Sequence, residues 1–247
     1  MTTENEIFSR AELLLGEAKM ASMAGKKVIL FGVGGVGSWC AEGLIRNGIG
    51  HLTLVDYDHV SMSNINRQLM ATTATVGQVK VEVMRDRLLQ INPHADIVAR
   101  HQLFTADTAD SFCLDDFDYI IDAIDSLSDK QLLILMATRC RHARLFSSMG
   151  AALKLNPAHI RVAEFWKVTG DPLARALRNR FKREKTFPAR KFLCVFSDEK
   201  LNNQTAKQPN VQTTKQPNGS LVHITAIFGF TLAGLVVQDI CQQEEKA

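Results

Sequence analysis

A polar loop with two carboxamides and a guanidinium follows a predicted buried strand. The strand lies within LTLVDYDHV, residues 52–60, and the loop is SNINRQ, residues 63–68. Arg67 offers a planar fork that matches phosphate oxygens, and Lys80, at the start of the next predicted helix, adds a second positive charge. The side chains that can orient phosphates or a nucleophile by neutral hydrogen bonds are Asn64, Asn66 and Gln68. The set predicts a site for a highly charged anion such as a nucleoside triphosphate.

A glycine-rich turn precedes that loop and joins a predicted strand to a predicted helix. Its G-x-G-x-x-G frame, with one extra glycine, consists of Gly32, Gly34, Gly35 and Gly37. Glycine allows a close approach to phosphate, and the helix N-terminus presents free N–H groups and its positive dipole end. Asp56 ends the next strand and is expected to accept hydrogen bonds from ribose hydroxyls. The turn therefore predicts a nucleotide, with Asp58 as a further candidate contact or a simple turn residue.

Two carboxylates follow another predicted strand in the segment IIDAIDS. Asp122 and Asp125 come at the carboxyl end of that strand, where open α/β sheets bind their ligands. Mg²⁺ prefers oxygen ligands and keeps several waters, so Asp125 is predicted to bind it, with helix capping as the other interpretation. NAD enzymes carry the same glycine pattern. However, a hydride-transfer site leaves Arg67, Lys80 and Asp125 without a role.

Strands alternate with helices along the first part of the chain, and helices are predicted over residues 8–25 and from Val76 to Asn92. This pattern predicts a Rossmann-like α/β fold, a mostly parallel β-sheet flanked by helices. We expect one domain over residues 1–247, with a nucleotide-binding core at about 8–150. The C-terminal portion, 151–247, is predicted to hold a strand, a basic helix capped by Asp171 and Pro172, a further strand and a last helix. Segment 197–220 is nearly devoid of apolar residues and is predicted to be a mobile loop.

Composition excludes several classes of protein. The formal charge of +3 permits an anionic partner without requiring one. The five cysteines form no C-x-x-C pair, which favours reduced thiols and a cytoplasmic protein over a zinc or disulfide framework. Segment 221–240 is as long as a membrane span. Because polar residues interrupt it, we expect a buried core helix and no stable membrane insertion.

The motifs taken in order resemble those of the E1-like adenylating superfamily, which includes ubiquitin-activating enzymes and the bacterial ThiF and MoeB proteins. They are GVGGVGS, LVDYD, NINRQ, a following lysine and DAIDS. The resemblance implies that ATP·Mg²⁺ is bound and a carboxylate is adenylated. It implies that Gly34 and Gly35 approach the phosphates and that Asp56 binds the ribose. It further implies that Asn64, Arg67 and Lys80 contact the phosphates, with Gln68 beside them, and that Asp125 binds the metal. It also implies a homodimer in which Arg10 reaches the partner subunit's active site.

Within that superfamily the chain looks most like the branch that dehydrates threonylcarbamoyladenosine in tRNA. GVGGVGSWCAEGL, INP and CVFSDE add to the motifs above. The resemblance implies that the carboxylate of the modified adenosine 37 is adenylated, and that an internal nitrogen then displaces AMP. The alternative is a ThiF/MoeB-type adenylyltransferase of a ubiquitin-like sulfur carrier, against which the missing zinc cysteines weigh. A nucleotide-binding scaffold that docks a sulfur-transfer protein is a non-enzymatic alternative.

A basic run after residue 170 is the best candidate for a tRNA-facing surface. Its cationic residues are Arg175, Arg178, Arg180, Lys182, Arg183, Lys185, Arg190 and Lys191. Such a run would contact phosphates and make binding depend on salt. A solvated helix face is the other interpretation. Phe181 and Phe187 are expected in the core, with stacking platforms for bases as the other interpretation. Cys194 is expected to be a buried structural cysteine.

Overall fold

The structure, a computed structural model, describes residues 6–204 and 218–245 of the chain. The strands are β1 (Lys27–Phe31), β2 (His51–Asp56), β3 (Asp96–His101), β4 (Tyr119–Asp122), β5 (Arg144–Ser148), β6 (Ile160–Glu164) and β7 (Leu193–Ser197). The helices are α1 (Ser9–Leu15), α2 (Glu17–Gly25), α3 (Gly37–Arg46), α4 (Lys80–Leu89), α5 (Leu127–Ala137), α6 (Pro172–Glu184) and α7 (Val222–Glu244).

The strands form one seven-stranded sheet in the order β3-β2-β1-β4-β5-β7-β6. All neighbouring pairs are parallel except β6 and β7, which are antiparallel. Helices cover both faces, and two apolar clusters fill the space between helices and sheet. The predicted Rossmann-like, mostly parallel sheet is confirmed. Strands β6 and β7, which follow residue 151, extend the same sheet.

The strand order reverses at β1, which pairs with β2 on one side and β4 on the other. In an open α/β sheet such a reversal opens a crevice at the carboxyl ends of the strands. The loops after β1, β2 and β4 all leave from this edge. They carry the glycine turn, the SNINRQ loop and the DAIDS segment, so the fold brings the three predicted motifs to one place.

The long apolar segment forms α7 and packs on α3. Gly229 makes this contact possible, because a Cβ there would lie 2.5 Å from the carbonyl oxygen of Val36 and 2.7 Å from the amide nitrogen of Cys40. A Cβ on Gly43 would likewise lie 2.9 Å from Cβ of Ala233. By length and composition α7 is the one described helix that could cross a membrane, and 44% of its most apolar window is buried inside the protein. In this structure its buried face covers α3, as predicted for a core helix.

Two helix boundaries need correction. The N-terminal helix expected over residues 8–25 is two helices, because Gly16 adopts φ 84° and ψ 159°, which breaks the hydrogen-bond ladder. The helix expected from Val76 begins only at Lys80, since Val79 forms a β-bridge with His59. Both boundaries depend on backbone conformation at a single residue, which periodicity does not report.

The loop predicted to be mobile, 197–220, is partly anchored. The carboxylate of Glu199 accepts hydrogen bonds from the amides of Leu155 and Asn156 at 2.7 and 3.0 Å. The ammonium of Lys154 donates to the carbonyl of Ser197 at 3.1 Å. Residues 205–217 of that prediction lie outside the described residues. The first part of the loop is therefore tied to the segment that follows β5.

Candidate active site

The glycines of the turn differ in the space that surrounds them. Gly32 has φ +88°, and a Cβ there would lie 2.7 Å from the carbonyl oxygen of Ala123. A Cβ on Gly37 would lie 1.8 Å from the carbonyl oxygen of Gly32. These two positions exclude any side chain and set the turn itself. Gly34 faces open space, because a Cβ there would meet, among the described residues, only the carboxamide nitrogen of Gln68 at 3.9 Å. It thus leaves room for a ligand to approach the backbone.

Asp56 fastens the end of β2 to the glycine turn. Its carboxylate accepts the amide of Val33 at 2.7 Å through one oxygen and the amide of Asp58 at 2.9 Å through the other. Burial raises the pKa of Asp56, and the positive charge of Lys80 opposes that shift. A carboxylate oxygen accepts more than one hydrogen bond. Asp56 therefore retains capacity for the ribose hydroxyls that the sequence assigned to it.

Lys80 and Asp58 form an ion pair at the mouth of the crevice. The ammonium lies 2.7 Å from the carboxylate, and the side chain of Lys80 is 6% exposed whereas that of Asp58 is 45% exposed. The backbone amide of Lys80 also donates to the carbonyl of Asp58 at 3.1 Å. The pair holds a cation close to the predicted phosphates. The predicted contact between Asp58 and the nucleotide stays a prediction.

The SNINRQ loop is stabilised by its own carboxamides. Asn64 accepts the amide of Ser61 at 3.1 Å and completes a capping box around a short 3₁₀ turn. Asn66 donates to the carbonyl of Ser220 at 2.9 Å, just before α7 begins. The side-chain oxygens of both residues serve the loop, whereas a phosphate would accept from carboxamide N–H groups, so the predicted phosphate role of Asn64 stays a prediction. Asn64 thus positions the loop, and Asn66 joins it to the start of α7.

Arg67 is held in place by the same loop. Its guanidinium donates to the carbonyl of Ser63 at 2.7 Å and to the carboxamide oxygen of Asn66 at 3.0 Å. The indole N–H of Trp39 donates to the carbonyl of Arg67 at 3.0 Å. The guanidinium is half-buried beside Gly35, whose Cβ position lies 3.3 Å from Cγ of Arg67. The geometry leaves the remaining N–H groups of Arg67 for phosphate oxygens.

Gln68 is buried and carries an acceptor without a partner. Its carboxamide oxygen has no hydrogen-bond partner among the described residues. Its nitrogen lies 3.9 Å from the Cβ position of Gly34. A buried unsatisfied acceptor costs about 1–3 kcal/mol, so its place next to the glycine turn is consistent with a donor supplied by a ligand.

Asp122 is an interior group, and its predicted contact with the cofactor needs correction. It forms an ion pair with Lys130 at 2.8 Å, and both side chains are completely buried. Its oxygens also accept the hydroxyl of Ser147 at 2.6 Å and the amide of Ile124 at 3.1 Å. Lys130 in turn donates to the carbonyl of Ile124 at 3.0 Å. The pair fixes the backbone immediately before Asp125.

Asp125 is exposed in the loop between β4 and α5. Nearby carboxylates, first Asp58 and then Asp56 and Asp125, raise the pKa of Tyr57 together with its burial. The loops after β2 and β4, which carry Asp58 and Asp125, leave from the same edge of the sheet. Within residues 6–204 and 218–245, no group of three or more His, Cys, Asp or Glu side chains could hold a metal by itself. Mg²⁺ commonly takes one or two carboxylates plus phosphate oxygens, and Asp125 fits that pattern.

The structure does not bring Arg10 to the crevice of its own chain. Arg10 is exposed on α1. The ring of the preceding Phe8 lies 3.8 Å from the Cβ position of Gly48, which follows the C-terminal end of α3. The glycine turn is at the opposite end of α3. The chain's own Arg10 is thus distant from its own phosphate site.

The basic run is only partly available to a ligand. Arg190 donates to carbonyls of the segment that joins α5 to β5, those of Thr138, Cys140 and Ala143. Arg178 donates to the carbonyl of Phe165 at 3.1 Å. The exposed cations that remain are Arg175, Lys182, Arg183, Lys185 and Lys191. Arg190 and Arg178 are therefore structural, which the sequence pattern did not reveal.

Of three predictions about buried side chains in this half of the chain, two are confirmed and one is wrong. Phe181 is buried as expected, but Phe187 is 51% exposed, so its predicted place in the core is wrong. Cys194 is completely buried, and burial raises the pKa of its thiol well above the ordinary value. A buried, protonated thiol is a poor nucleophile, in agreement with the structural role predicted for it.

This crevice combines a glycine turn, the carboxylate of Asp56 and the two cations Arg67 and Lys80 at the switch point of a Rossmann-like sheet. The chain belongs to the ThiF family, whose model matches residues 8–247. It is similar to the tRNA threonylcarbamoyladenosine dehydratase of Bacillus subtilis, with 35% identity over 96% of each chain.

Comparison with solved structures also finds tRNA threonylcarbamoyladenosine dehydratases among the similar proteins. The chain is similar to the E. coli tRNA N6-threonylcarbamoyladenosine dehydratase in complex with AMP, with 32% identity, a TM-score of 0.88 and coverage of 100% of this chain and 98% of that one. The complex of the same enzyme with ATP matches with a TM-score of 0.87, 32% identity and the same coverage.

Proposed function

We propose that this protein is an ATP-dependent tRNA threonylcarbamoyladenosine dehydratase. The observation that carries the proposal is the likeness to dehydratases from end to end, including the C-terminal portion with the basic helix. The crevice supports it, because its glycine turn, Asp56, Arg67 and Lys80 suit a nucleoside triphosphate. The sulfur-carrier alternative is less favoured, since among the described residues no metal-binding cluster of the zinc-binding kind is present.

An oxygen of the substrate carboxylate is a poor leaving group, and its adenylation turns it into a good one, AMP. An oxygen of the substrate carboxylate attacks the α-phosphorus of ATP, and the bond to pyrophosphate breaks. A side-chain nitrogen of the same substituent then attacks the acyl carbon, the bond to AMP breaks, and the nitrogen loses its proton. One carboxylate oxygen leaves with AMP, so the nucleoside loses one water in total. Ring closure is intramolecular and benefits from proximity.

Each residue near the crevice has a proposed part in the first step. Arg67 and Lys80 stabilise negative charge that develops on the phosphates, with Lys80 released from Asp58 when a phosphate takes its place. Asp56 positions the ribose, and Gln68 accepts a hydrogen bond from the nucleotide or the substrate. Asp125 would hold Mg²⁺, which neutralises phosphate charge when bound.

The test is a single incubation of the protein with ATP, Mg²⁺ and tRNA that bears threonylcarbamoyladenosine. We expect AMP, and we expect digested nucleosides to contain a product lighter by one water. Asp125→Ala should abolish AMP formation with an unchanged unfolding profile, whereas Asp107→Ala, at an exposed carboxylate elsewhere, should leave it unchanged. AMP formed only with a ubiquitin-like carrier would favour the sulfur-carrier alternative. Neither product would favour a nucleotide-binding scaffold.

We also propose a homodimer in which α1 covers the partner. Leu13 and Leu14 are 84% and 83% exposed on this helix, and exposed apolar side chains side by side favour an interface. Arg10 lies on the same helix, away from its own crevice. A mixture of Arg10→Ala and Asp125→Ala protomers should therefore regain activity, because one site of each mixed dimer has both residues. If Arg10 acted within its own chain, mixing would restore nothing.

The remaining predictions follow from this function. A tRNA substrate and unpaired thiols favour the cytoplasm, and a sulfur-transfer protein is a further proposed partner. The division into a core at 8–150 and a portion at 151–247 stays a prediction as well. Fractionation of cells followed by detection of the protein would test the location.

A further inference from the structure

We propose that Trp166 and Phe187 form a stacking platform for an unpaired base of the RNA substrate. The inference rests on the proposed tRNA substrate and adds a contact that recognises a base where the basic run recognises phosphates. Both side chains are large and apolar, and they are 40% and 51% exposed. Their ring centroids are 6.2 Å apart with an interplanar angle of 43°. We call this pair the aromatic platform.

The inner side of the aromatic platform is held by the core. The Trp166 ring lies edge-on to the buried Phe165 at 5.2 Å and tilted against the buried Phe181 at 6.5 Å. The guanidinium of Arg178 lies 5.8 Å from the centroid of the Phe165 ring, and it also donates to the Phe165 carbonyl. These contacts hold the buried side of the Trp166 ring in place, so little conformational freedom is lost when a base stacks on its exposed side.

The end of α6 brings Phe187 to Trp166. Lys185 has φ 52° and ψ 31°, a left-handed conformation that ends the helix and turns the chain back. The amide of Thr186 then donates to the carbonyl of Phe181 at 3.1 Å. A side chain with a Cβ adopts this conformation at a cost. The turn delivers an exposed phenyl ring to the Trp166 ring instead of burying it.

The cations around the aromatic platform favour RNA as its ligand. Lys167 directly follows Trp166, Lys185 precedes Phe187 by two residues, and Lys182 lies one turn earlier, all of them exposed. Aromatic faces between cations are the arrangement by which proteins hold single-stranded nucleic acid, since bases stack while the cations contact the backbone. Sequence-specific RNA contacts target loops with unstacked bases in the same way.

The position of α6 relates the aromatic platform to the crevice. Glu184, at the end of α6, accepts a hydrogen bond from Gln131 of α5 at 2.7 Å. Gln131 is four residues after Leu127, where α5 begins. At about 1.5 Å per residue, this contact is about 6 Å along the helix from the loop that carries Asp125. Trp166 itself follows Glu164, which pairs with Leu193 at the amino end of β7, so the aromatic platform would take a base that lies away from the modified base in the crevice.

The experiment measures binding of full-length protein to the modified tRNA over a range of salt concentrations. We expect Trp166→Ala and Phe187→Ala each to weaken binding about tenfold, with an unchanged slope of log Kd against log salt. Lys182→Ala should instead reduce that slope by about one. Trp166→Phe, which keeps a stacking face, should retain most of the affinity. Val98→Ala, a truncation of an exposed apolar side chain on β3, is the matched control.

Fluorescence gives a second, direct readout. The chain has two tryptophans, and the other, Trp39, is hydrogen-bonded inside the nucleotide site. RNA should quench emission of the wild-type protein, and Trp166→Phe should lose most of that quenching while still binding. This variant also decides the matter if Trp166→Ala fails to fold.

The outcomes separate this inference from the proposed function. If the wild-type protein dehydrates the nucleoside but both alanine variants bind tRNA as the wild type does, the aromatic platform does not stack a base. The same conclusion follows if the variants lose binding of a protein partner and keep binding of tRNA. If the wild type neither binds tRNA nor changes the nucleoside, the proposed function itself fails.

Discussion

The buried pair Lys130–Asp122 leads to the sharpest prediction about stability. Lys130→Met removes the ammonium and leaves the carboxylate of Asp122 buried without its counter-ion. Breaking one partner of a buried pair costs about 3–5 kcal/mol. For a chain of this size the midpoint of thermal unfolding changes by about 2–4 °C per kcal/mol, so a decrease of about 6–20 °C is expected.

The measurement is the unfolding free energy from denaturant titration, with the thermal midpoint beside it. The double variant Asp122→Asn with Lys130→Met should regain much of the loss, because no charge remains buried while the carboxamide can still accept the amide of Ile124. ATP affinity is measured on the same samples. Asp122→Asn should alter it only through the backbone before Asp125.

Two results would refute this reasoning. A loss below about 1 kcal/mol for Lys130→Met would place the pair with exposed ion pairs, whose contribution is that small. An Asp122→Asn variant with wild-type stability and at least tenfold weaker ATP binding would restore Asp122 as a direct contact of the nucleotide. Either result would overturn the interior role assigned to Asp122.

Three further predictions concern other positions. Asp171→Ala should lower the unfolding free energy by about 1–3 kcal/mol, because the buried carboxylate accepts hydrogen bonds from the amides of Ala174 at 2.8 Å and Gly150 at 3.1 Å. Asp171→Asn should lose less unfolding free energy in the same denaturant titration. Gly229→Ala should cost about 1–3 kcal/mol through overpacking against α3. Gly234→Ala in the same helix, with no described neighbour within 4 Å of its Cβ position, should instead stabilise by about 0.5–1 kcal/mol; equal effects would refute the packing argument. Burial raises the pKa of Asp56 above 3.8. The contribution of Asp56 to stability is therefore present below pH 3.8 and is lost as pH rises through the raised pKa. ATP affinity should change in the opposite direction and fall as pH decreases through that same pKa. Calorimetry across that range checks both signs, and an ATP affinity that does not change there would exclude Asp56 as the ribose contact.

The sheet and the glycine turn were predictable because their signals are local. A run of apolar residues followed by glycines and a helical pattern is contained within residues 28–46, and the alternation of strands with helices fixes the parallel arrangement. The capping of α6 by Asp171 was likewise readable, since the cap and the amide it accepts are three residues apart.

The roles of Asp122, Asn66 and Arg190 were not predictable, because their partners are far away in the sequence. Asn66 reaches Ser220, and Arg190 reaches carbonyls about fifty positions earlier, an interval typical of contacts that only the folded chain creates. Asp122 was misassigned for another reason. A carboxylate at the end of a strand can face the interior or the crevice, and spacing does not decide between the two.

The packing of α7 on α3 has a consequence for synthesis of the protein. Residues 32–80 hold the glycine turn, Arg67 and Lys80, but Thr225, at the start of α7, lies 3.2 Å from the Cβ position of Gly35. A growing chain that has not yet released α7 from the ribosome leaves the apolar side of α3 uncovered. Nascent chains arrested before residue 222 should consequently recruit chaperones and fail to retain nucleotide. Chains with an added C-terminal linker long enough to carry α7 out of the ribosome should instead acquire nucleotide binding and resistance to protease in a single step.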